Sequence, residues 1–122
     1  MDEEQRRYIR AWTRLVTFVK FVDTGKVLRA LTRDISGAGV CFVMEKLLDP
    51  GTQLELEIKL PDREAPIAFT AEVVWSKAIA EPRKSYEGPT SETGVRFVTI
   101  DPKDHALILQ FAALNAMPPE AG

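Results

Sequence analysis

Two short stretches carry the residue types that could do chemistry. The first is Arg6-Arg7-Tyr8-Ile9-Arg10, and the second is Asp34-Ile35-Ser36-Gly37-Ala38-Gly39. An arginine fork can grip the O6/N7 edge of a guanine, or a phosphate, at two points at once. An aspartate can accept from the N1–H and N2–H donors on guanine's other edge. A serine hydroxyl can donate to a phosphate oxygen, and glycine lets the backbone come close to a ligand. Each stretch alone has a plainer reading. An arginine run is usually a solvated arm, and Asp-x-Ser-x-x-Gly is ordinary turn chemistry. Together they suit a phosphorylated guanine nucleotide, and nothing in them would hydrolyse it.

Other chemistries find little support. One His and one Cys cannot supply the side chains of a zinc site, and no metal is expected. His105 reads as a lone surface histidine, and no base stands near Ser36 in sequence to activate it. Thr24-Gly25-Lys26 lacks the upstream glycine of a phosphate loop, since position 20 is Lys20, and it joins two strands. Cys41 lies in the apolar run Val40–Met44 and is expected to be a buried, inert thiol.

These residues need elements to hold them. A chain of 122 residues suits one domain, with 45% hydrophobic and 28% charged residues. The net charge of −2 argues against general nucleic-acid binding. Its distribution is uneven: residues 1–35 hold eight Lys/Arg and five Asp/Glu, the rest eight and thirteen. No apolar stretch approaches the length of a bilayer span, and no signal-peptide pattern opens the chain, so the expectation is cytoplasmic.

Leu15–Val22, Val27–Arg33 and Val40–Met44 read as strands, the first two joined by the turn Asp23–Lys26. Leu54, Leu56, Ile58 and Leu60 alternate on one face of a further strand. Ile67–Ser76 alternates too, which puts Ile67, Phe69, Ala71, Val73 and Trp75 inside. Lys77–Thr93 reads as a long polar connection, and Gly94–Ile100 as the last strand. Asp101 and Pro102 open a helix to about Ala116, with Leu107, Ile108, Phe111 and Leu114 on one face. The pattern suggests a small closed or nearly closed β-barrel with one helix. Three segments are expected: an arm over 1–14, the barrel and helix over 15–116, and a disordered tail over 117–122.

At the two motifs the chain resembles the PilZ domain family, whose mark is Arg-x-x-x-Arg followed by Asp/Asn-x-Ser-x-x-Gly. Arg6 and Arg10 match the first part; Asp34, Ser36 and Gly39 match the second, with 23 residues between Arg10 and Asp34. Ala71–Trp75, Gly94–Phe97 and the terminal helix resemble later parts of the family. The resemblance implies a mainly β fold, a six-stranded antiparallel barrel with a C-terminal α-helix, and binding of cyclic di-GMP. Arg6 and Arg10 would hold guanine and phosphate, Asp34 a guanine edge, and Ser36 a phosphate or guanine contact. Arg7 would assist, and Gly39 completes the motif. Gln5 stands where many members carry another arginine, a position tied to whether one or two ligand molecules bind.

The reading is thus a bacterial receptor that is no enzyme, has no cofactor beyond its ligand, and acts on an unidentified effector protein. It is expected as a monomer or weak dimer that binds neither nucleic acid nor membrane. Two alternatives remain at this point. One is a PilZ-like interaction module that binds no nucleotide. The other is a single-strand nucleic-acid binder that stacks bases on Tyr8 and Trp12.

Overall fold

Alternating residues pair here into a sheet that closes on itself. The computed structural model describes residues 8–79 and 90–116. Arg6, Arg7, the middle of the long polar connection and the tail over 117–122 lie outside the described residues. Within them the strands are β1 (Ala11–Trp12), β2 (Val16–Phe21), β3 (Val27–Ile35), β4 (Gly39–Met44), β5 (Gln53–Ile58), β6 (Ile67–Ala78) and β7 (Ser91–Thr99). One helix follows, α1 (Pro102–Leu114).

The strand order is β1-β3-β2-β5-β6-β7-β4, and β4 pairs back onto β3. Six antiparallel strands therefore form a closed barrel, and β1 adds a short seventh pairing beside β2 along β3. Among the described residues closure leaves no long open edge for another chain to pair with. Inward residues make the core: Val19, Ala30, Phe42, Met44, Leu54, Leu56, Ile58, Ile67, Ala71 and Val73 are all buried. Burying each large aliphatic side chain contributes about 1.5–3 kcal/mol.

The interior is not wholly apolar. Ser91 and Thr93 point inward and are fully buried. Ser91 Oγ donates to the Lys46 carbonyl at 2.6 Å, and Ser76 Oγ lies 2.8 Å from Thr93 Oγ1 while accepting from Leu48 N at 3.1 Å. This hydroxyl cluster satisfies the polar groups, so the strands continue where composition shows only polar residues. Lys77 pairs with Glu92 and Ala78 with Ser91, which shortens the expected connection at both ends.

Three further differences have local causes. The register of β6 slips between Val73 and Trp75, so Ser76 takes the next inward place and Trp75 goes to the outer surface. Ala11 and Trp12, expected in an arm, pair with Ile35 and Asp34. The break between β1 and β2 is bridged by Thr32, whose Oγ1 accepts from Leu15 N at 2.7 Å. In α1, Asp101 caps by accepting from Lys103 N at 2.8 Å, as its position suggests. On α1 Ile108 is buried and Leu107 and Phe111 pack partly buried against the core, as their spacing suggests, while Ala112 joins the buried face and Leu114 at the last position is exposed.

Candidate functional site

The second motif straddles the end of β3, a three-residue turn and the start of β4. Opposite Cys41 the pairing of β3 with β4 skips a residue between Thr32 and Asp34. That bulge lets Arg33 and Asp34, neighbours in sequence, both serve the outer face while Thr32 and Ile35 stay buried. Successive cross-strand pairs then make one row over five strands: Trp12–Asp34–Cys41–Gly94–Trp75. A side chain at Gly94 would run into the Trp75 ring, so its absence lets that ring lie against the backbone.

Charges flank this row. Arg33 forms an ion pair with Glu92 and lies 5.3 Å from the centre of the Trp12 ring. Lys77 lies 5.6 Å from the Trp75 ring centre. Arg10 immediately precedes β1, whose pairing carries it to the end of β3. Burial raises the Asp34 pKa above the ordinary carboxylate value, and the guanidiniums of Arg10 and Arg33 pull against that rise. Both arginines therefore act electrostatically on Asp34. The Cys41 thiol is pushed up to about 12, first by burial and then by the Asp34 charge. It stays protonated and reaches Glu92 Oε1 at 3.9 Å.

The remaining motif residues are tied into the turn. Ser36 is buried, donates its N–H to the Gly39 carbonyl at 3.0 Å, and accepts at Oγ from Ala38 N at 3.1 Å. Gly39 packs so tightly on β7 that a Cβ there would strike the Val95 carbonyl. Arg10, Asp34 and the turn thus come together in space, while Arg6 and Arg7 lie outside the described residues. Among the described residues no group of three His, Cys, Asp or Glu side chains could hold a metal.

Sequence reading missed several neighbours of the motif. Arg33 should face away from Asp34 in a regular strand, and no local signal announces the bulge. Trp75 falls on the inner face only if alternation is unbroken. His105, expected as a surface residue, is half-buried and its Nε2 lies 2.8 Å from the Gly37 carbonyl. Its helix turn faces the barrel rather than solvent.

The family model of the PilZ domain matches residues 4–114. Among solved structures, the inhibitor of motility MotI/DgrA of Bacillus subtilis superposes with a TM-score of 0.71 at 22% identity, over 89% of this chain and 50% of that one. The PilZ domain of YcgR from Escherichia coli, solved with c-di-GMP, gives 0.71 at 18% identity, over 91% of each chain. MrkH of K. pneumonia in its apo state gives 0.71 at 13% identity, over 94% of this chain and 50% of that one. The chain thus spans about half the length of MotI/DgrA and MrkH and most of the YcgR domain. No curated protein matches it in sequence.

Proposed function

The chain belongs to the PilZ domain family, and from that premise we propose that it is a bacterial receptor for cyclic di-GMP that signals to a partner protein and catalyses nothing. One observation carries the reading. Pairing of β1 with β3 sets Arg10 beside a partly desolvated Asp34 that a second guanidinium, Arg33, also attends. A carboxylate so placed is ready for donors better matched than water, and guanine's N1–H and N2–H are such donors.

The ligand lies along the row from Trp12 to Trp75. Asp34 takes a guanine edge, and Arg6 and Arg10, assisted by Arg7, hold guanine and phosphate by two-point contacts. Ser36 accepts from its own turn at Oγ, which leaves its hydroxyl proton free to donate to the ligand. Gly39 serves by seating the turn on β7. The similarity to the YcgR domain solved with c-di-GMP supports this assignment. The receptor acts in the cytoplasm, as a monomer or weak dimer, on an effector protein. Titration calorimetry with cyclic di-GMP, with GTP and cyclic GMP as controls, tests the proposal. Saturable heat with cyclic di-GMP alone is expected, and no heat at high micromolar ligand would leave a protein-interaction module instead.

A further inference from the structure

We infer that His105 is a positioning residue for the ligand motif and that through it helix α1 is coupled to occupancy of the site, an inference that rests on the proposed function. The contact is the 2.8 Å approach of His105 Nε2 to the carbonyl of Gly37, across 68 residues of sequence. A carbonyl only accepts, so Nε2 carries the proton and donates. Gly37 is the middle residue of the turn, between Ser36 and Gly39. The turn's other bonds run within itself or to β7: Ser36 N to Gly39 O at 3.0 Å, Ala38 N to Ser36 Oγ at 3.1 Å, and Phe97 N to Ala38 O at 3.2 Å. The Gly37 carbonyl is thus the point at which the motif hydrogen-bonds the helix.

The arm meets the same point. Tyr8 stands two residues before Arg10, and its ring is edge-on to His105 at 6.1 Å between centroids. The Phe97 ring also approaches the imidazole edge-on, at 6.0 Å between centroids. A Cβ on Gly37 would meet Tyr8 and Leu109 of α1 together, so glycine is what lets arm, turn and helix share this place. Beside it a cleft of about 360 Å³, lined by Tyr8, Ala38, Phe97, Ile100, Pro102 and His105 among others, gives the rings room to shift. A ligand that draws Arg10 inward moves Tyr8, and Tyr8 cannot move without changing what holds His105. The imidazole therefore converts a displacement of the arm into one of α1.

The test compares wild type with His105→Phe, which keeps a ring between Tyr8 and Phe97 but has no donor. It adds His105→Gln, whose amide nitrogen reaches as far as Nε2, and His105→Asn, whose amide reaches only as far as Nδ1. Without ligand, amide exchange at Gly37–Gly39 should quicken about fivefold in the Phe and Asn variants, the factor one ordinary hydrogen bond is worth, and recover in Gln. Exchange in β5 should not change. With cyclic di-GMP, affinity should fall about five- to tenfold in Phe and Asn and return in Gln. Ligand-induced protection over residues 103–110 should be present in wild type and Gln and absent in Phe and Asn. A Phe variant that matches wild type in turn exchange and in the response of α1 overturns the inference, and the Asn variant decides in the same way should Phe not fold. Wild type that takes up no cyclic di-GMP overturns the proposed function instead, and the hold of His105 on the turn is then decided by the ligand-free exchange alone.

Discussion

At the scale of single residues, the carboxyl of Asp34 is half-buried between β1 and β4 at the end of β3. Its raised pKa, caused first by burial, means the folded chain disfavours the charged form. Near neutral pH the ionised carboxylate therefore costs stability, and the cost disappears as pH falls below the ordinary carboxylate range. Asp34→Asn should raise the melting temperature at pH 7 and leave it unchanged at pH 3, as thermal melts at the two pH values would show. Asp34→Ala should weaken cyclic di-GMP by about 1–3 kcal/mol in calorimetry, because guanine donors lose their acceptor in a partly dry site. Arg10→Lys should not restore what Arg10→Ala removes, since lysine keeps the charge and loses the fork. Near wild-type affinity in the Lys variant would sink the two-point contact. Cys41, with its thiol pushed up to about 12, should resist alkylation at pH 8 in the native protein and react promptly once the chain is unfolded.

At the scale of elements, the turn between β3 and β4 depends on its glycine for a reason unrelated to ligand. Gly39→Ala drives a methyl group into the Val95 carbonyl, so β4 and β7 must separate. A loss of about 1–3 kcal/mol is expected in denaturant unfolding, together with weaker ligand binding because the turn moves. Unchanged stability would show that the strands accommodate the methyl. How far such elements were legible follows from their chemistry. The β5 face Leu54–Leu56–Ile58 alternates and is covered on one side, and its residues are buried as read. The cap at Asp101 was equally plain, since a cap is local. The ends of β6 and β7 were not legible, because Ser76, Ser91 and Thr93 face inward and find most of their partners far off in sequence. β1 is two residues long and owes its pairing to β3 alone. The motif residues could be chosen from type and spacing. Their neighbours Arg33, Trp12 and Trp75 depend on two register slips that no spacing announces.

At the scale of the whole molecule, a closed ladder of six strands has little freedom to bend, and side chains pack its interior. The proposed coupling of residues 8–10 to α1 runs outside that ladder. Hydrogen exchange with cyclic di-GMP should therefore slow at residues 8–12 and change little in β5. Equal slowing throughout would mean general stabilisation rather than a directed change. In the proposed site the arginines near the start of the chain hold a doubly anionic ligand, so affinity should fall as sodium chloride rises from about 0.1 to 1 M and the screening length shrinks from roughly 10 to 3 Å. The bridge between Ala11 and Ala116 has a different kind of consequence. It brings the first of the described strands beside the last of the described residues. Pulled apart from these two places, the molecule is loaded across that bridge and the two-residue β1 before tension reaches the barrel. Stretching should show a small yield at low force, as β1 peels from β3, and then a separate, larger rupture of the ladder.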